Sequence, residues 1–331
     1  MNLEKFKTLF AFFGIYVIWG TTFLAISIGV KGFPPFLLSS LRFAAAGIIL
    51  LVFSLMKGEN SGSLFNWKKN MVIGLLVLTG GTGLLTWAEQ YLSSTEACTI
   101  EASVPFLFIA LDRKNWRFHF TKKMIIAGLI VGFIGVLVFL HGSLSHDNAV
   151  DYHLKIFGVL IVIISLICWV IGSLLSKKLA PSNSLGMNTA QQLLCAAIGC
   201  FLISVAKMEI KDFYPSQVSN TVWISIIYLV LFGSILAYIS YQYLLSTQSH
   251  SIVSTYAYIN PIVAVIAGWL IAGEKITVIQ LAGLLVILAG VFLTNIGNYK
   301  FKKDPADNLQ TPHWYDWYKS GSFKRKYENF N

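Results

Sequence analysis

Charged residues are scarce in this sequence. Asp, Glu, Lys and Arg make up 12% of its 331 residues, against roughly 25% in soluble domains. With 56% hydrophobic residues and a mean hydropathy of +0.67, that shortage excludes an ordinary water-soluble globule. Cysteine is scarce as well: Cys98, Cys168, Cys195 and Cys200 all fall inside apolar runs, so they should pack as small apolar side chains and no disulfide is expected. None of the six histidines lies inside such a run, and no His/Cys/carboxylate spacing matches a metal site. A Walker A loop, a dinucleotide fingerprint and a G-x-S-x-G elbow are also missing. Nothing in the sequence therefore points to a metal, a nucleotide cofactor, catalytic residues or an enzyme.

What is present is a row of ten apolar runs, each near the ~20 residues that a helix needs to cross ~30 Å of hydrocarbon. They extend over Thr8 to Val30, Phe36 to Met56, Met71 to Leu92, Glu96 to Leu111 and Met124 to Leu140, then Ile156 to Ser176, Gly186 to Ala206, Val222 to Leu245, Ser251 to Ala272 and Val278 to Ile296. The expected fold class is thus an all-α integral membrane protein of ten transmembrane helices. The first run is too long for a signal-peptide core and no small-x-small site follows it, so it is expected to remain as a helix of the mature protein. Lys and Arg in the connections are distributed 19 to one side and 5 to the other, which places both termini in the cytoplasm. The net charge of +10 then serves as an anchor against anionic membrane lipid and not as a nucleic-acid surface.

The chain is also written twice. "AGLIVGFIGV" at 127–136 returns as "AGLLVILAGV" at 282–291, a shift of 155. "QYL" at 90–92 returns at 242–244, Pro105 aligns with Pro261, and Trp19 with Trp169. The two units are expected at 1–140 and 156–296, joined by an extracytoplasmic connection at 141–155 and followed by a basic, aromatic cytoplasmic tail at 297–331. Because five helices is an odd number, the second unit enters the membrane from the opposite side, the inverted repeat found in secondary transporters. A proline removes the helix hydrogen bond to the carbonyl four residues earlier, here Glu101 and Ala257. Exposed backbone at that depth survives only beside protein or a wet cavity, so Pro105 and Pro261 predict a matched pair of kinked helices lining a central cavity.

Several stretches together resemble the EamA-type branch of the drug/metabolite transporter superfamily: "WGTTFLAI" in the first run, "LRFAAAG" in the second, "TWAEQYL" closing the third and "YINPIVAVIAGWLIAGE" in the ninth. The resemblance covers residues from about 10 to 296 and implies ten helices, a cavity between the halves, and mostly export of small metabolites or drugs. The first unit departs from it by ending its proline helix on "LDRKNW" where the second has Gly273-Glu274.

Charges inside a span are costly and usually face the bundle interior. Arg42 and Glu101 are the deepest: a structural ion pair is one reading, and a proton or substrate site, with Glu101 taking the cation and Arg42 an anionic group, is the other. Glu89 and Glu96 flank the third connection and are expected either to stay hydrated or to guide cations or protons at a cavity mouth. Trp19 and Trp169 sit mid-helix, away from the interfacial belts, as core or as a stacking surface for substrate. Gln192, Tyr256, Tyr258 and Asn260 could recognise a polar head group without carrying charge. The expected partners are a small-molecule substrate, membrane lipid and protons. A nucleotide-sugar or lipid-intermediate translocator is the rival within transport and needs a more basic lining; a non-transporting scaffold has no use for paired broken helices.

Overall fold

The computed structural model describes residues 3–111, 123–144, 152–179, 183–211, 213–248, 253–274 and 276–301. The connection around 145–151, the basic residues Arg113, Lys114, Arg117 and Lys122, and the tail from 302 onward lie outside the described residues. Among those described there is no strand. Ten apolar helices follow one another: α1 (Lys5–Gly29), α2 (Pro35–Met56), α3 (Leu64–Ala88), α4 (Ser94–Leu111), α5 (Lys123–Leu144), α6 (Tyr152–Leu179), α7 (Leu185–Ala206), α8 (Asn220–Thr247), α9 (Tyr256–Ala267, continued by Gly268–Ala272) and α10 (Val278–Phe301). All but α5, α9 and α10 are long and apolar enough to cross a membrane; those three carry shorter apolar stretches.

Helix starts follow from short polar residues that satisfy the unpaired N–H groups. Ser184 caps α7 through Met187 N, Ser219 caps α8 through Val222 N, and Ser93 with Glu96 forms a reciprocal capping box at α4. Pro35 opens α2, where its missing N–H leaves nothing unpaired. Helices α2 and α7 end alike, on a residue at positive φ, Gly58 (77°) and Met208 (56°). In each the following N–H reaches back five residues, Glu59 to Ser54 O at 3.1 Å and Glu209 to Ser204 O at 3.0 Å, which is the Schellman closure of a helix.

Those closures aim two carboxylates across the molecule. Glu209 Oε2 accepts from Leu37 N, in the first turn of α2, at 3.0 Å, while Glu59 at the far end of α2 accepts from the Ser184 hydroxyl that caps α7. The Ser184 hydroxyl holds the Glu59 carboxyl below its ordinary range. Helices α2 and α7 are thus clasped at both ends. Helices α5 and α10 form the other close pair, and there glycine is the cause: a Cβ at Gly135 would lie 2.5 Å from Ile287 N, and one at Gly290 2.2 Å from Gly132 N. Gly132 and Gly135 of α5 therefore pack within the chain, backbone on backbone.

The remaining contacts have a pattern. Helix α1 packs on α8 and α9, and α6 packs on α3 and α4. Replacing every helix by the one five places away carries the first set into the second, and carries the α2–α7 and α5–α10 pairs into themselves. Two stretches of wider, π-type turns repeat in the same way, Leu75–Gly83 in α3 and Leu229–Ala237 in α8, each nine residues long.

Candidate functional site

Between the halves lies a partly open cavity lined by α1, α2, α3, α4, α6 and α8. Its walls follow from the π-type stretches, whose wider turns release carbonyls that side chains of neighbouring helices must satisfy. Ser165 of α6 donates to Gly81 O at 2.9 Å in the stretch on α3. In the stretch on α8, Ser234 Oγ accepts from Arg42 Nε at 3.0 Å. Both stretches contribute to the lining, through Gly81 and Thr82 on one side and Gly233 and Ser234 on the other.

Four of the residues singled out in the sequence meet at this cavity: Trp19, Arg42, Glu101 and Trp169. Arg42 and Glu101 make no salt bridge with one another, which removes the structural ion pair as an explanation for either. Arg42 is 4% exposed, lies over the Phe43 ring at 5.0 Å, and its Nη1 has no hydrogen-bond partner among the described residues. A buried, unpaired guanidinium N–H is costly, so the cavity presents a donor that suits a bound anionic group. Glu101 supplies a carboxyl group from α4. The indoles form an aromatic wall: Trp19 meets Trp169 edge-on at 5.3 Å and Tyr241 at 5.0 Å, and Trp169 meets Tyr241 at 5.0 Å. A guanidinium, a carboxyl group and a ring surface around one cavity can hold a small molecule with a charged or zwitterionic head and an apolar body.

The other candidates lie elsewhere. Glu89 is not hydrated, one of the two readings the sequence offered: it follows the last turn of α3, 4% exposed, with neither carboxylate oxygen hydrogen-bonded among the described residues. Glu96 is not hydrated either, being 6% exposed. Its carboxylate closes the α4 capping box and meets Lys155 Nζ at 3.2 Å, fastening α4 to α6. Tyr256 is fully buried, packing against Trp19 at 5.3 Å behind the cavity wall. The Tyr258 side chain lies outside the described residues. Gln192 is buried and fully paired: Nε2 donates to Asn70 Oδ1 at 2.9 Å, and Oε1 accepts from the Tyr238 hydroxyl at 2.7 Å.

Asn260 faces α1. With its amide turned to satisfy the surrounding acceptors, its nitrogen donates to Ile15 O and Tyr16 O, both at 2.9 Å. These carbonyls belong to a third π-type stretch, Gly14–Ile18, so Asn260 answers backbone groups that the wide turn frees and ties α9 to α1.

The matched-proline expectation needs correction. Helix α4 is interrupted at Ala102 and Ser103, between Ser94–Glu101 and Val104–Leu111. Pro105 therefore stands in the first turn of a new helical segment, where its missing N–H costs little. Helix α9 runs through Pro261 without a break, and a turn at Ser254 and Thr255 comes just before its first residue. The two turns are 152 residues apart, so a turn recurs at the same place in both units, and Pro261 lies well past the second.

Glu274, noted in the sequence only as the end of the Gly273-Glu274 pair, has a role that the sequence did not assign. Gly273, at φ 65°, ends α9 in the left-handed conformation that favours glycine. The chain then turns so that Glu274 reaches the start of α4. Its Oε1 accepts from Ser94 N (3.1 Å) and Oγ (2.6 Å), and its Oε2 from Thr95 N (3.2 Å) and Oγ1 (2.5 Å). A carboxylate with four donors at a helix N-terminus is held by both hydrogen bonding and the helix dipole. The only signal for it in the sequence is the Gly-Glu pair after an apolar run.

The doubling of the chain is also what a comparison with protein families finds, because the model of the EamA-like transporter family matches it twice, over residues 6–141 and 156–296. The chain belongs to the EamA-like transporter family. Among its curated relatives, the uncharacterized inner membrane transporter YedA of Escherichia coli (strain K12) is 32% identical over 309 residues, covering 92% of this chain and 96% of that protein. A probable amino-acid metabolite efflux pump of Salmonella typhimurium is 24% identical over 289 residues, covering 86% and 93%. One crystal structure superposes with a TM-score of 0.65 at 18% identity, covering 90% of this chain and 99% of that one, and speaks for the fold alone. As an EamA-like protein the chain is a multi-pass membrane transporter, built from two copies of one family unit.

Proposed function

We propose that the protein is a secondary transporter that exports small metabolites with a charged or zwitterionic head, amino-acid-like compounds first among them, by alternating access across the inner membrane. The observation that carries this reading is the cavity in which Arg42 offers an unpaired N–H, Glu101 a carboxyl group, and Trp19 with Trp169 an aromatic wall. The efflux name carried by one relative favours the outward direction. The lining contains a single basic residue among those described, which favours this reading over a translocator of nucleotide sugars or lipid intermediates, whose diphosphates call for several.

In the proposed topology all ten helices cross, both termini are cytoplasmic, and the units at 1–140 and 156–296 have opposite orientation. The five-place exchange of helix contacts and the recurring π-type stretches support that inversion. The connection at 141–155 then lies outside, and the tail at 297–331 lies on the cytoplasmic face beside anionic lipid. Export is proton-coupled in this scheme, with Glu101 as the first group and Glu89 as the second.

The test compares small molecules in the medium of cells producing the intact protein with those of cells producing Glu101→Gln at matched membrane levels. The expected result is a zwitterionic metabolite enriched several-fold outside only with the intact protein. Equal enrichment in both cultures would remove Glu101 from the mechanism, and enrichment in neither would overturn export.

A further inference from the structure

Arg42 and Gln192 are 150 residues apart and hold the same position, two turns in, in α2 and α7. The five-place exchange carries α2 into α7, so the two side chains hold related places directed toward opposite faces of the molecule. Their surroundings differ. Arg42 borders empty space and keeps Nη1 unpaired. Gln192 is 2% exposed, and hydrogen-bonded side chains surround it. Besides Gln192, the Tyr238 hydroxyl engages Gln242 Nε2 at 2.7 Å, Gln242 Oε1 accepts from Ser176 Oγ at 3.3 Å, and Ser173 Oγ lies 2.6 Å from the Tyr241 hydroxyl. Tyr238 and Tyr241 are 1% and 0% exposed.

A buried polar cluster whose members are all paired holds one arrangement firmly. Each of these bonds joins neutral groups, though, and contributes little net stability, so water can replace them if the helices part. We propose that Tyr238, Tyr241 and Gln242 form a removable plug. In this structure they fill the half of the path that the exchange of units relates to the cavity. When they withdraw, Gln192 and Ser173 become accessible from the face that carries the α2–α3 and α6–α7 turns, and Gln192 takes the substrate-facing place that Arg42 holds here. This rests on the alternating-access reading above. Tyr238 touches the cavity on one side and Gln192 on the other, which makes it the positioning residue that joins the two halves.

The experiment uses the full chain with its four cysteines replaced, carrying either Ser173→Cys in the plugged half or Thr82→Cys in the cavity, in membrane vesicles of both orientations. The probe is a membrane-impermeant maleimide. Thr82→Cys should label from the face carrying the α1–α2 and α3–α4 turns. Ser173→Cys should label from the opposite face, several-fold faster when combined with Tyr238→Phe, which keeps the ring and removes only the hydroxyl. Ser173→Cys that stays protected from both faces while Thr82→Cys labels would overturn the plug, and this arm does not depend on how Tyr238→Phe folds.

Counterflow of a mixture of radiolabelled L-amino acids in the same vesicles separates the two claims. Flux with a protected Ser173→Cys removes the plug and leaves the transport reading. A labelled Ser173→Cys without flux removes amino-acid-like cargo and leaves the movement of the plug.

Discussion

Single carboxylates do unlike work in this protein, and their surroundings decide which. Glu274 has four donors and Glu96 a capping box with Lys155, whereas Glu101 faces the cavity. Removing a helix-capping group costs about 0.5–2 kcal/mol, so Glu274→Ala should lower stability by about that much and loosen the start of α4. A thermal melt in detergent checks this, and an unchanged midpoint would show that the four contacts are not stabilising. Arg42, Glu101, Trp19 and Trp169 were legible in the sequence because a charge or an indole deep in an apolar run has few reasons to be there. Glu274 and Glu209 were not legible, since a carboxylate in a connection looks like any solvated one until the turn before it is known. The roles of Gln192 and Asn260 were hidden for another reason: an amide gives no hint whether its partner will be a ligand or another helix.

Helix existence was the most legible feature, for hydrophobic length alone locates each apolar run. Helix interiors were not. The π-type stretches at Leu75–Gly83 and Leu229–Ala237 have no pattern of apolar residues that marks them, and the turn before α9 precedes its proline by several residues. The paired helix ends hold a more specific lesson. Gly58 and Met208 occupy the same place in the two units and both have positive φ, a conformation that costs a side-chain-bearing residue roughly 1–2 kcal/mol. Part of that is offset by the greater freedom of glycine in the unfolded chain. Met208→Gly should therefore stabilise the protein by about 0.5–1 kcal/mol, since the Met208 side chain is largely exposed and loses little packing. A melt midpoint below that of the parent would contradict the strain argument.

At the scale of the molecule, the doubled sequence foretold two units but not how they hold together. The contacts between units include two pairs that are fastened specifically, α2 with α7 and α5 with α10, clasped by Glu59 and Glu209 in the first pair and by apposed glycines in the second. Each of those pairs takes one helix from each unit. The covalent link between units is thus not what keeps them in register. A gene cut between α5 and α6, with its two pieces produced as separate polypeptides in one cell, should yield fragments that find each other in the bilayer and co-purify through a tag on either one. Glu209→Ala together with Gly135→Leu should abolish that recovery, although the same changes in the uncut chain leave the halves tethered. The clasped pairs make each unit the natural complement of the other, as expected if a gene for one unit, able to insert in either orientation, was the ancestor of both.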